Sequence, residues 1–182
     1  MTLSAAQIGR CGELMVQYQL LARGIESSPM STDTGIDLVA YSPVSRVPLT
    51  IQVKTNLAPR PAGGTGPGAL NWTVDHHSPA QIIALVDMSE GGQIWLFTLD
   101  EFRREAQQDR APDGSKYKRN RSLHMYVVAT DHVRSDGKRR YKSEFAHFAL
   151  EKRVAELFHL PASPVPPTEL SSDLSRNDDE RI

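Results

Sequence analysis

The order of its periodic segments is the feature that most restricts what this chain can fold into. A stretch with helical spacing comes first, strand-like apolar runs follow, and helical spacing returns near the end. Ser4, with Gln7 three residues later, has the pattern of a capping box, which predicts a helix from there to about Arg23, before Gly24. A helix, mixed strands and further helices indicate an α/β or α+β sandwich of one sheet with helices packed on it.

The strand-like runs are rich in β-branched and apolar residues, and the "SEGGQ" stretch between two of them predicts a hairpin turn. The run "LHMYVVAT" predicts one more strand later in the chain. Between the early runs, residues 58–70 are so rich in Pro and Gly that they predict a loop too broken for a strand. The predicted strands in the first hundred residues are 36–41, 49–55, 81–87 and 93–98, and the predicted later helices are 99–108 and 144–160.

Length and composition predict one globular domain. A chain of 182 residues, 39% hydrophobic and 24% charged, can bury one good core and is short for two. We therefore expect one domain over residues 1–160, followed by a disordered tail over 161–182, which is rich in Pro, Ser and acidic residues. With a single cysteine, no secretory pattern and no apolar run long enough to span a bilayer, the expected location is the cytoplasm, away from membranes.

The net charge of −1 conceals an uneven distribution of charge along the chain. Residues 1–102 hold 5 Lys or Arg against 9 Asp or Glu, whereas residues 103–153 hold 14 against 7. Two basic stretches, "KYKRNR" and "KRRYK", interleave tyrosine with cations, which suits phosphate contacts with a base or sugar stacked nearby. A solvated hairpin face is the alternative. The predicted nucleic-acid contacts are Lys116, Lys118, Arg119, Arg121, Lys138, Arg139, Arg140 and Lys142.

Charged residues occur where half-buried strands are expected, and this placement needs a reason. In "LTIQVKT" alternation puts Ile51 and Val53 on a core face, while Gln52 and Lys54 project side by side from the other. Asp37 stands at the head of the preceding strand. If the two strands pair as a hairpin, Asp37 can converge with the Gln52 and Lys54 side chains.

The first predicted helix offers another acid for the same place. Glu13 lies on one stripe of that helix with Gly9, Val16 and Leu20, because these residues are spaced at helical intervals. A glutamate with a purely solvating role more often lies opposite such a stripe. We therefore expect Glu13 to face inwards and to join the group formed by the strand residues.

These residue types match the chemistry of a hard divalent cation. Mg²⁺ takes carboxylate, amide and backbone carbonyl oxygens together with water. Asp37 and the Gln52 side-chain oxygen can supply such ligands, and Glu13 can add a direct or water-mediated one. Lys54 beside the ion can position or deprotonate an attacking water and offset charge that develops on a phosphate.

The segments "GRCGELMVQYQLLARG", "DTGIDLVA" and "IQVKT" resemble, in this order and spacing, the PD-(D/E)XK nuclease superfamily. The likeness is to its Holliday-junction-resolvase-like and uncharacterised bacterial branches; it is close over residues 8–56 and loose to residue 160. By this resemblance Asp37 matches the motif aspartate, Gln52 the Asp/Glu position, Lys54 the lysine and Glu13 the helix-1 glutamate. The resemblance implies a restriction-endonuclease-like central mixed β-sheet flanked by helices, Mg²⁺-dependent cleavage of DNA with Mn²⁺ as a substitute ion, and often a homodimer.

Gln52 departs from the family pattern, because a carboxylate is usual at this position. The amide removes one negative charge from the metal site. The alternative to a nuclease is therefore a nuclease-fold module that has lost catalysis and only binds nucleic acid or a protein partner. Lys54 also has a structural alternative, since lysine often protects sheet edges from pairing.

The sequence "DHHSP" at residues 75–79 invites a second metal interpretation. Adjacent histidines point apart in an extended chain, and Ser78-Pro79 follows them. We therefore predict a turn here rather than a metal site.

Overall fold

A computed structural model describes residues 2–32, 34–61, 65–89, 91–106, 122–128 and 140–160, and every structural statement below refers to them. The helices are α1 Ala5–Leu21, α2 Leu99–Glu105, a 3₁₀ helix Lys142–Phe148 and α3 Leu150–Leu157. The strands are β1 Glu26–Pro29, β2 Leu38–Tyr41, β3 Pro48–Asn56, β4 Arg60–Pro61, β5 Gly68–Asp75, β6 Ile82–Asp87, β7 Gln93–Thr98, β8 Ser122–Val128 and β9 Arg140–Tyr141.

The central sheet is five-stranded and mixed, in the order β1-β2-β3-β6-β7. Its neighbours pair antiparallel except β3 and β6, which run parallel with Ile51 opposite Ile82. The β6–β7 hairpin turns through Gly91 and Gly92, both at positive φ, which glycine adopts without a steric penalty. The expectation of a mixed α/β fold with a central mixed sheet flanked by helices is therefore confirmed.

Helix α1 begins as the sequence predicts. Ser4 Oγ accepts from the Gln7 backbone N–H, and Gln7 Oε1 accepts from the Ser4 N–H, which completes the capping box. The helix ends at Leu21 and Gly24 follows at φ 76°. Its buried stripe contains Gly12, Val16 and Leu20, and it packs on the face of the central sheet that carries Ile51 and Val53; α3 packs on the same face.

The opposite face of the central sheet is covered by a second, four-stranded sheet in the order β4-β5-β8-β9. Leu70, Trp72 and Val74 of β5 join Ile83 and Leu85 of β6 in a second hydrophobic core. Aromatic residues of β7, α2 and the 3₁₀ helix complete that core. Strand β3 thus lies between two cores, and its two faces are covered by different layers.

The second sheet corrects the prediction of a loop over residues 58–70 and of a single sheet. Arg60–Pro61 pairs with the start of β5, which begins at Gly68 inside the predicted loop. From there Leu70, Trp72 and Val74 alternate with exposed polar residues, a strand pattern that the neighbouring Pro/Gly-rich stretch obscures.

The predicted helix over residues 144–160 is interrupted. Ala149 adopts φ −54° and ψ 137°, which ends the 3₁₀ helix before α3 begins. Ala149 also forms an isolated bridge with Trp95 of β7. The apolar periodicity is continuous through this point, so a tertiary contact with the sheet edge accompanies a break that the pattern alone does not show.

None of the helices in the described part of the chain combines the length and hydrophobicity that crossing a bilayer requires. The predicted tail, residues 161–182, lies outside the described residues. The division into a domain and a tail therefore stays a prediction.

Candidate active site

Asp37 is held immediately before β2, where that strand begins beside β3. Its backbone N–H donates to the Ile51 carbonyl at 2.9 Å, although Leu38 is the registered partner of Ile51. Two consecutive residues therefore lie opposite one, which is the arrangement of a β-bulge, a feature that re-aims side chains. The Asp37 carboxylate accepts from the Val53 backbone N–H, with 2.6 Å between Oδ2 and N. The acid is thus fixed against the residue between Gln52 and Lys54.

Gln52 lies on the face of β3 away from α1 and is only 6% exposed. Its Oε1 accepts from the Ser78 hydroxyl at 3.1 Å, and Ser78 Oγ in turn accepts from the Ala80 backbone N–H. Gly35 stands beside the amide at φ 81°, and a Cβ there would lie 3.7 Å from Gln52 Nε2 and 3.2 Å from Pro79 Cδ. The expected alternation is present, and the Gln52 side chain is buried against the turn that contains Ser78.

Lys54 extends from the same face as Gln52, two residues further along β3. It is half-buried and registered opposite Leu85 of β6, at the edge of the second core. Within the described residues its amine forms no ion pair.

Glu13 lies in a different layer from the three strand residues. Its carboxylate pairs with Arg10 at 2.7 Å, and its side chain is 24% exposed. The neighbouring Gly12 contacts Thr55, which places this part of α1 against the end of β3 that carries Lys54. Glu13 is partly buried and adjoins the buried stripe of Gly12, Val16 and Leu20, and both its inward orientation and its participation in a metal site stay predictions.

A pocket of about 360 Å³ opens next to Gln52 and contains residues that the metal hypothesis did not include. Asp75 and His77 line it together with Gly35 and Ser78. The His77 backbone N–H donates to Asp75 Oδ1 at 2.7 Å and the Ser78 N–H donates to the Asp75 carbonyl at 3.0 Å, which confirms the predicted turn. The turn places both side chains beside Gln52, a proximity that no local sequence signal indicates.

Most of the predicted DNA-contacting cations lie outside the described residues: Lys116, Lys118, Arg119, Arg121, Lys138 and Arg139. The backbone of Arg140 forms β9, which pairs with β8. Lys142 begins the 3₁₀ helix, and its Nζ lies 2.5 Å from the fully buried Asp87 carboxylate. The predicted role of Lys142 at DNA is untested, and its amine already serves an internal ion pair.

Comparison with solved structures finds a likeness to the bacterial homing endonuclease I-Ssp6803I. The TM-score is 0.52 and the sequence identity 16%, over 87% of this chain and 94% of the other. No protein-family model matches the sequence, and no curated protein matches it. At this identity the likeness concerns the fold alone.

Proposed function

We propose that the chain is a metal-dependent nuclease of the PD-(D/E)XK superfamily that hydrolyses phosphodiester bonds in DNA. The observation that carries the proposal is the Asp37 carboxylate fixed on the Val53 backbone, between Gln52 and Lys54. The fold likeness to a homing endonuclease supports the same conclusion, because it was found independently of these residues.

The donor atoms suit Mg²⁺ shared with a substrate phosphate. Within the described residues, no three or more His, Cys, Asp or Glu side chains group closely enough to hold a metal. Mg²⁺ needs no such cage, because it keeps several waters and commonly binds one or two carboxylates plus substrate phosphates. Asp37 would supply the carboxylate and Gln52 the second lone pair of Oε1. Glu13 would add a water-mediated contact, and Mn²⁺ would substitute for Mg²⁺.

The carbonyl of Val53 is a further oxygen donor in this proposal. In an extended strand the N–H and C=O of one residue point to the same side. The Val53 N–H points to the Asp37 carboxylate, so its carbonyl faces the same gap before the start of β2. A backbone oxygen there compensates in part for the amide at Gln52, since hard cations accept carbonyl ligands.

Lys54 would act on the phosphate and on water. A bound Mg²⁺ supplies Lewis acidity and lowers the pKa of water. The Lys54 amine stabilises negative charge on the phosphate oxygens as the bond to the leaving oxygen breaks. Asp37 orients the site through its fixed carboxylate, because the bulge and the Val53 N–H leave that group little freedom.

The proposed DNA surface is the basic part of residues 116–142, and a homodimer is part of the same proposal. Replacing Lys138, Arg139 and Arg140 by alanine in one variant is expected to weaken DNA binding. The slope of log binding constant against log salt concentration should become shallower by up to about three, because each phosphate contact releases about one counterion. The measurement is fluorescence anisotropy of duplex DNA between low and physiological salt. An unchanged slope would assign these residues to a solvated face.

A second candidate function is a nuclease-fold module that binds nucleic acid or a protein partner without cleaving. Its support is Gln52 itself, which is buried, lacks a full charge and already engages the Ser78 hydroxyl. The deciding experiment incubates wild-type protein with junction, duplex and single-stranded DNA and Mg²⁺ or Mn²⁺. Metal-dependent nicking or cleavage supports the nuclease, and binding without cleavage supports the module.

Gln52→Glu separates the two candidates further. A carboxylate beside Asp37 adds a full charge at the ion, so we expect Mg²⁺ affinity to rise about tenfold or more by calorimetry. A nuclease should then cleave at lower Mg²⁺ concentration. Gln52→Met fills similar volume without a donor oxygen and is the matched control. If Gln52→Glu folds yet neither binds metal more tightly nor gains activity, Asp37 and Gln52 do not share an ion.

A further inference from the structure

A second concavity of about 510 Å³ opens where β3 ends. Its walls come from the first turns of α1, from the residues after Lys54 on β3, and from β4, β5 and β8 of the second sheet. Thr55 and Asn56 line it, so it begins immediately after the strand segment that carries Gln52 and Lys54.

The lining of this concavity is unlike that of the pocket beside Gln52. Among the described residues that line it there is no carboxylate. Arg60 is exposed, and within the described part of the chain its guanidinium forms no ion pair. Tyr126 of β8 is half-buried and registered opposite Asn71 of β5, so both side chains share the outer face of the second sheet.

One hydrogen bond joins two walls of the concavity. Asn56 Nδ2 donates to the Asn71 carbonyl at 3.0 Å, which ties the end of β3 to the second sheet. Ile8 of α1 and Leu57 add apolar wall, and Leu57 is 43% exposed although it is a large hydrophobic residue. The concavity thus offers a cation, an aromatic ring, amide groups and exposed apolar surface. These are the types of group that proteins use to bind nucleotides.

We propose that this concavity binds one nucleotide of a DNA strand, with the phosphate on Arg60 and the base against Tyr126. The size suits this ligand, because small-molecule sites begin at about 300 Å³. Aromatic rings stack on any base, and a groove cation follows the backbone, which is how single strands are bound. Because Asn56 and Lys54 lie on the same strand, the bound nucleotide belongs to DNA that continues into the candidate active site. The inference rests on the proposed function in taking DNA as the substrate.

The test measures binding without cleavage, so that it does not depend on nuclease activity. A single-stranded oligonucleotide containing 2-aminopurine is titrated in EDTA, with anisotropy for affinity and probe fluorescence for stacking. Tyr126→Ala is expected to lower affinity about tenfold and to abolish the fluorescence change, whereas Tyr126→Phe keeps both. Arg60→Ala is expected to lower the salt slope by about one.

Matched controls remove the same chemical groups elsewhere. Tyr18→Ala deletes an exposed tyrosine of α1, and Arg104→Ala deletes an exposed cation of α2. Both controls should bind like wild type. If Arg60→Ala and Tyr126→Ala, folded by circular dichroism, bind like these controls, the nucleotide pocket is refuted. Tight binding of free dAMP that oligonucleotides do not displace would also refute a DNA-strand site.

The outcomes also separate this inference from the nuclease proposal. Loss of binding in the pocket variants together with a wild type that never cleaves DNA supports the pocket and refutes the nuclease. Cleavage by the wild type, together with unaltered DNA binding in Arg60→Ala and Tyr126→Ala, supports the nuclease and refutes the pocket. A wild type that binds no DNA refutes both.

Discussion

Replacing Asp37 with asparagine is expected to lower Mg²⁺-dependent DNA cleavage by about a thousandfold, because the proposed metal site loses its principal carboxylate and with it several kcal/mol of transition-state stabilisation. The fold should survive. An asparagine oxygen can still accept from the Val53 N–H, and exchanging a charged for a neutral acceptor costs about 1 kcal/mol. The measurements are single-turnover cleavage and thermal unfolding of the same preparation.

Lys54→Met is compared with Asp37→Asn to separate an effect on cleavage from an effect on metal binding. It keeps an apolar stem at a half-buried position and removes only the amine. We expect cleavage to slow while Mg²⁺ affinity by calorimetry stays at the wild-type value, since Lys54 acts on phosphate rather than on the ion. Full cleavage by Asp37→Asn would overturn the assignment of the site, and loss of metal affinity in Lys54→Met would overturn the division of roles.

Replacing Gly12 with alanine is expected to destabilise the protein by about 1–3 kcal/mol, the usual cost of overpacking a core. A Cβ at this position would lie 1.9 Å from Thr55 Oγ1 and 2.9 Å from Thr55 Cβ. Thr55 is short and β-branched, so it cannot swing aside, and α1 must move away from β3. This cost opposes the gain of about 1 kcal/mol that alanine normally brings to a helix.

Gly9 provides the control for that prediction within the same helix. No atom of the residues that the structure describes lies within 4 Å of a Cβ built there, so Gly9→Ala should stabilise the protein by up to about 1 kcal/mol. Urea unfolding of both variants measures the contrast. Adding Thr55→Ala should recover part of the loss in Gly12→Ala. Equal stabilisation by the two alanines would mean that α1 does not pack closely on β3.

The elements that the sequence predicts well are those determined by residues close to each other in the chain. The capping box of Ser4 and Gln7 needs four residues, and the β6–β7 hairpin needs only its glycines and flanking apolar runs. The strand 93–98 was predicted with the observed bounds for the same reason. Alternation likewise placed Gln52 and Lys54 on one face of β3, because side-chain direction in a strand follows from its geometry.

The elements that were missed depend on residues distant in sequence. The burial of Gln52 brings its side chain against Ser78, 26 residues further along the chain, and no local pattern around Gln52 indicates that contact. The break at Ala149 accompanies its bridge to Trp95. At the site, the bulge that turns the Asp37 carboxylate onto Val53 depends on the β2–β3 register, so the sequence gives the residue but not its orientation.

The strands of the second sheet lie between and after those of the central sheet along the chain, and this order affects how the protein folds. Strands β1, β2 and β3 form a meander of short-range pairs, and Asp37, Gln52 and Lys54 all belong to it. Pairing of the parallel strands β3 and β6 must close a loop that contains β4 and β5. The pairing of β5 with β8 needs a further, longer loop to close. Loop closure is entropically unfavourable until distant contacts offset it, so local pairs form first. We therefore expect the strands that carry the candidate catalytic residues to align before the strands that form the concavity containing Arg60 and Tyr126 come together.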